Sequence, residues 1–213
     1  ARTTRSACPA TPPPWSNSAS LLGEEGVEEL LAQTVNLAVA SKLIPASALA
    51  SVVVDSTVQE KAVAHPTDSK LLETARAKLV QAAQAVGIEL KQTFAKEGRL
   101  LRFKAGRYAH ARQFKRMRGV IKPQSTEVGR LVREIERKAG GLDALGAAVR
   151  QGLSESLAKA RRIAEQSRSR KNTSGQPKLY AWHAPEVECI AKGKSKTPYE
   201  FGVKVGIAMT LRH

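Results

Sequence analysis

Ser51-Val52-Val53-Val54-Asp55-Ser56-Thr57-Val58 is an apolar run closed by a carboxylate. Three consecutive valines predict a buried β-strand over 51–58. Asp55 at the end of such a strand sits at a sheet rim, within reach of a metal ion or a phosphate. A turn or cap aspartate is the competing reading. His65-Pro66-Thr67-Asp68-Ser69-Lys70-Leu71-Leu72 follows, and then a long basic stretch. Thr67 or Asp68 is a good N-cap. From Leu71 to Val86 apolar residues recur every three or four positions, and Gly87 is a C-terminal stop.

Charge is concentrated downstream of this strand. The chain has 213 residues and a formal net charge of +16. Residues 91–138 hold 15 Lys/Arg against 4 Asp/Glu. That is the electrostatic footprint of a phosphate-contacting surface, although a solvated helical face would also be basic. Hydrophobic content of 42% supports a core, but 4% aromatic residues make it depend on Leu, Val, Ile and Ala. No apolar stretch of about 18 residues is present, so no spanning helix is implied, and no membrane is counted among the expected partners. Cys8 and Cys189 form neither a disulfide framework nor a metal cluster, which fits a reducing cytoplasm. Cys189 is expected to be a buried small hydrophobe.

Elsewhere the pattern is helical and then extended. Residues 1–20 contain Pro12-Pro13-Pro14 and no periodicity, and are expected to be disordered. Leu21–Ala40 reads as a helix. Residues 88–107 lack a clear pattern because Gly98 and Gly106 interrupt it. A helix over 108–121 carries Arg112, Lys115 and Arg116 on one face and sends Phe114 to the core. Pro123 separates it from a helix over 125–138, which Gly140-Gly141 ends. A further helix near Asp143 buries Leu145, Val149, Leu153, Leu157 and Ile163, and a polar loop covers 167–178. Leu179–His183 and Val187–Ala191 read as extended segments, and 192–198 as a turn. From Phe201 to Leu211 every odd position is apolar, which predicts a strand with one buried face.

Three ordered blocks carry a resemblance. Val53-Val54-Asp55-Ser56-Thr57-Val58-Gln59-Glu60-Lys61-Ala62, continued by Ala64-His65-Pro66-Thr67-Asp68, resembles the first catalytic block of DDE transposases of the insertion-sequence-five (IS-five) family. Gly106-Arg107-Tyr108-Ala109-His110-Ala111-Arg112-Gln113-Phe114-Lys115-Arg116 agrees with it. So does the run from His183-Ala184-Pro185-Glu186-Val187-Glu188-Cys189-Ile190 to Pro198-Tyr199-Glu200-Phe201-Gly202-Val203-Lys204-Val205. The similarity covers roughly residues 22–212.

This resemblance implies an α/β chain with a partial RNase H-like fold. Residues 21–213 would supply the first strand (51–58), a basic helical insertion (68–167) and a β-meander (179–212), incomplete at the C-terminus. It implies Asp55 as a catalytic residue and Mg²⁺ ligand. Hard Mg²⁺ needs clustered oxygen ligands, and the family's second Asp and its Glu are expected beyond the last strand. Asp68 is expected to be a helix cap and Glu200 a structural group. Implied DNA contacts are Arg107, Tyr108, His110, Arg112, Lys115 and Arg116, with Lys192, Lys194 and Lys196 either contacting DNA or capping a hairpin. The implied function is DNA transposition, here by a truncated fragment that keeps DNA binding. The alternative is a non-enzymatic basic nucleic-acid-binding protein, or an inhibitory partner of a full-length transposase. DNA, a full-length transposase and a second copy are the expected partners, in a bacterial cytoplasm at the nucleoid. Neither a zinc site nor a nucleotide-hydrolysing loop is expected, since the histidines lack ligand spacing and no G-x-x-x-x-G-K-[ST] motif occurs.

Overall fold

A computed structural model of the chain describes residues 15–139, 146–168, 177–193, 195 and 197–210. The chain is mixed α/β and divides into two compact units. One holds the described residues up to Asp55 and from Gly206 onward; the other is Ser56–Val205.

In the first unit, α1 (Trp15–Ala40) is two helical segments joined at Gly23, whose φ of 68° suits a residue without a Cβ. It begins earlier than the expected Leu21, so residues 15–20 are helical, while 1–14 lie outside the described residues. The expected buried strand is exposed. Val52, Val53 and Val54 of β1 (Val52–Glu60) are 48%, 43% and 70% accessible. Valine content favours a strand through local sterics, but burial needs a second layer over it. The late odd positions Ile207 and Met209 are likewise exposed, against the expected buried face.

The second unit is built on four helices: α2 (Asp68–Ala85), α3 (Ala95–His110), α4 (Phe114–Ala139) and α5 (Ala147–Arg168). Their core is aliphatic, with Leu72, Leu79, Leu131, Ile135 and Ile163 fully buried. Thr67, not Asp68, is the N-cap of α2: its side chain accepts a hydrogen bond from the Lys70 backbone N–H. Gly87 follows the helix with φ 72°. Residues expected to lack a pattern contain α3. Gly98 is required there, because a Cβ would lie 2.2 Å from Glu73 Oε2.

The helix expected over 108–121 is interrupted at residues 111–113, where Arg112 takes φ 54°. The Gln113 N–H closes this turn onto the Tyr108 carbonyl at 2.8 Å. No glycine or proline announces the break. Phe114 consequently starts α4 and is 54% exposed rather than in the core. Pro123 does not end a helix; it lies inside α4. Its missing N–H and ring clash cost about 3 kcal/mol, but Pro123 is exposed, and Gly119 stands at the crowded i−4 position. Burial of Ile121, Val128, Leu131, Val132 and Ile135 on the same helix outweighs that cost at about 1.5–3 kcal/mol each. Val149, expected to be buried, is 46% exposed on α5. Leu145, Asp143 and Gly140-Gly141 fall outside the described residues.

The sheet has the order β1-β3-β2, with β2 (Glu188–Ala191) antiparallel to β3 (Tyr199–Thr210) and Cys189 opposite Phe201. Leu179–His183 is not a strand but an irregular segment, with Leu179 and Ala181 buried. Gln166 pins it to α5, donating to the Leu179 carbonyl and accepting from its N–H. Cys189 is half-buried rather than buried. Among the described residues no helix is long and apolar enough to cross a membrane.

Glu127 of α4 carries a pH-dependent cost. Burial, and then the charges of Glu97 and Glu73, push its carboxyl up to about 6. Between the ordinary carboxylate range and about 6, the folded state binds more protons than the unfolded one, so stability falls as pH rises through that window. Glu127→Gln is therefore expected to stabilise the unit above about pH 6.5 by about 1 kcal/mol, after discounting for solvent screening. The gain should vanish below about pH 4.5. Urea melts of both proteins at pH 4 and pH 8 measure it.

Candidate nucleic-acid interface

The N-terminus of α2, one face of α3, the start of α4 and the segment Lys178–Tyr180 enclose a cleft of about 850 Å³. All of its lining belongs to the helical unit. The floor is apolar: Leu71, Ala105, Ile121 and Leu179 are buried beneath it. The rim is cationic, with Lys70 from α2, Arg99, Arg102 and Arg107 from α3, and Lys178 from the irregular segment; His110 also lines it.

Helical geometry explains the convergence. Residues 99, 102, 103, 106, 107 and 110 follow one another at three- and four-residue spacing and share one face of α3. Gly106 keeps this face low between the longer side chains. Phe103 stands on it, 63% exposed. The Arg107 guanidinium lies over the Phe103 ring, 5.8 Å from the centroid, a cation–π arrangement.

Asp68 is the single carboxylate among the cleft residues. Burial raises its pKa, and the charge of Lys178 opposes the rise. Lys70 donates to the His65 carbonyl at 3.1 Å. Arg99 is exposed and donates from Nε to the Ala95 carbonyl at 3.1 Å. Beneath the rim, Ser69 donates to Gln124 Oε1 at 2.8 Å, tying α2 to α4. The cationic groups therefore stand on helices that a buried Ser69–Gln124 hydrogen bond ties together.

Of the expected DNA contacts, the cleft gathers Arg107 and His110. Tyr108 is half-buried and outside it. Arg112 does not share a helix face with Lys115 and Arg116, because the left-handed turn separates it from α4. Lys115 and Arg116 are exposed on the first turn of α4, and Arg116 donates to Gln113 Oε1 at 3.0 Å. Lys192 lies 3.9 Å from the carboxylate of the buried Glu200, and its backbone N–H donates to the Pro198 carbonyl to close the hairpin. Lys194 and Lys196 lie outside the described residues. Asp55 is exposed on β1 and is not among the cleft residues.

Lys70, Arg99, Arg102 and Lys178 were not among the expected contacts. The α3 residues had a usable signal, the spacing 99–102–106–110, but two glycines masked the helix. Lys178 had none, since only tertiary packing brings its segment to the cleft.

Comparison with known proteins adds one relative. The chain is similar to the uncharacterized protein ORF8 in the nfe locus of Rhizobium meliloti, with 43% identity over 105 residues. The match covers 49% of this chain and 49% of that protein, so the chain spans about half the length of this curated relative. No family model and no solved structure matches the chain.

Proposed function

We propose that this chain is a transposase-type DNA-binding protein whose helical unit holds the phosphate backbone. The observation that carries this reading is the cleft, in which five Lys/Arg side chains and His110 face one carboxylate. A globular unit gains nothing in stability from gathering like charges, and a polyanion offsets their repulsion. The transposase part of the reading rests on the three ordered blocks of sequence. It also draws on the topology: β1 and β3 are neighbours in the sheet although four helices intervene between them. An insertion between adjacent strands of a partial RNase H-like sheet would have this arrangement. On this reading the protein works at the nucleoid of a bacterial cytoplasm, and a full-length transposase or a second copy is its protein partner.

The described residues do not by themselves fit a two-magnesium centre. Asp55 is exposed, and among the described residues no three His, Cys, Asp or Glu side chains converge as ligands. Asp55 is the residue that the resemblance assigns to such a centre, and the cleft residues support the DNA-binding part of the reading.

Equilibrium binding to a short duplex between 50 and 300 mM salt tests the reading, where each neutralised phosphate contributes a slope of about −0.9 in log K against log salt. Replacing Arg99, Arg102, Arg107 and Lys178 together by Gln is expected to flatten the slope by about 3–4. Binding that is absent at the lowest salt, or insensitive to salt, overturns it.

A further inference from the structure

We propose that the cleft takes a single nucleotide unstacked from its strand, with the base on the apolar floor beside Phe103 and the flanking phosphates on the cationic rim. This deepens the nucleic-acid reading of the same site and rests on it. Backbone contacts alone need only a convex or flat basic surface, because phosphates lie on the outside of a duplex. This site is instead concave, with a volume of about 850 Å³, within the range of about 300–1,000 Å³ typical of small-molecule pockets. Its floor consists of buried Leu71, Ala105, Ile121 and Leu179, whose side chains offer a phosphate no hydrogen bond. They do suit the face of a heterocyclic ring. A paired and stacked base cannot present that face; a base in a gap, overhang or mismatch can.

Phe103 supplies the second argument. A phenylalanine 63% exposed on a helix costs solvation and contributes little to this unit's own core. With Arg107 over its ring it makes the kind of aromatic–guanidinium platform on which bases stack without regard to sequence. Arg99 stands one turn before it, Arg102 directly precedes it, and Lys178 lines the same cleft from another segment. A base held at Phe103 therefore has cations on both sides for the phosphates that precede and follow it.

The test compares a fully paired duplex with the same duplex carrying a three-nucleotide gap, whose smaller number of phosphates would by itself favour the paired form. Fluorescence anisotropy with the full chain, at fixed salt, gives the ratio of affinities. The gapped DNA is expected to bind more tightly by about fivefold or more, since stacking one base on an aromatic side chain contributes about 1–3 kcal/mol. Phe103→Ala should bring the ratio to one, and Phe103→Trp should preserve it. Phe114→Ala removes another exposed aromatic that does not line the cleft, and should leave the ratio unchanged. Thermal melts confirm that each variant is folded. Equal affinity for both DNAs with a steep salt slope overturns the unstacked nucleotide and leaves backbone binding intact. Loss of the ratio in Phe114→Ala rather than Phe103→Ala overturns the site. Displacement of gapped DNA by micromolar dAMP, without retention of duplex, assigns the cleft to a free nucleotide and overturns a strand-borne one. Failure to bind either DNA overturns the nucleic-acid reading itself.

Discussion

Glu73→Ala is expected to destabilise the helical unit by about 3–5 kcal/mol, the largest loss from any single polar residue described. Glu73 and Arg76 are 8% and 7% exposed. They form a bidentate pair on α2, with Arg76 Nε donating to Glu73 Oε2 at 2.9 Å and Nη2 donating to Oε1 at 2.7 Å. Arg76 Nη1 also donates to the Thr93 carbonyl at 2.9 Å, which fixes the chain just before α3. Truncating the glutamate leaves a buried guanidinium with a single acceptor. The penalty arises from that orphaned charge rather than from lost attraction. Replacing the pair together, Glu73→Leu with Arg76→Met, should therefore recover most of the loss, because the desolvation cost disappears with the charges. Urea denaturation reads both variants as a shift in midpoint at constant slope. A loss under about 1 kcal/mol for Glu73→Ala would mean that water reaches the pair.

The second large effect lies in the aliphatic core. Leu131→Ala is expected to cost about 2–5 kcal/mol, the transfer term plus the cavity left behind. Leu131 is fully buried on α4, the helix that packs against α2, α3 and α5. The cavity has aliphatic neighbours on several sides and little means of collapsing. Phe114→Ala on the same helix removes a larger side chain, but Phe114 is 54% exposed, so a change within about 0.5 kcal/mol is expected. Comparing the two in one denaturation series separates burial from side-chain size; equal losses would place Phe114 in a packed environment after all.

The helices differ in how far they were legible, for local reasons. α2 has an uninterrupted three-and-four periodicity, an N-cap threonine and a closing glycine, and each signal points the same way. α3 was hidden by Gly98 and Gly106, which count against a helix locally. Gly98 is there because α2 approaches so closely that Glu73 occupies the space of a Cβ. That requirement belongs to the contact between helices and leaves no trace in α3 itself. The break at Arg112 and the continuity through Pro123 reverse the local preferences of both positions. Each costs energy locally, and packing along the rest of α4 offsets it.

The candidate site was half legible for the same reason. Arg107 and His110 sit in a recognisable run of sequence, and charge counting alone left residues 91–138 as either a phosphate-contacting surface or a solvated helical face. Counting charges does not say which of them share a surface.

The sequence by itself determined the helical character of the chain's centre, the strand at its end, and the sign and location of the charge, since these follow from periodicity and composition along a single segment. Only the tertiary structure decided that Lys70, three arginines of α3 and Lys178 meet around an apolar floor, that Lys192 lies near Glu200, and that the valines of β1 are exposed. Those outcomes depend on distances between segments far apart in the chain, set by how the side chains of α2, α4 and α5 fill a common core, and no local pattern encodes them.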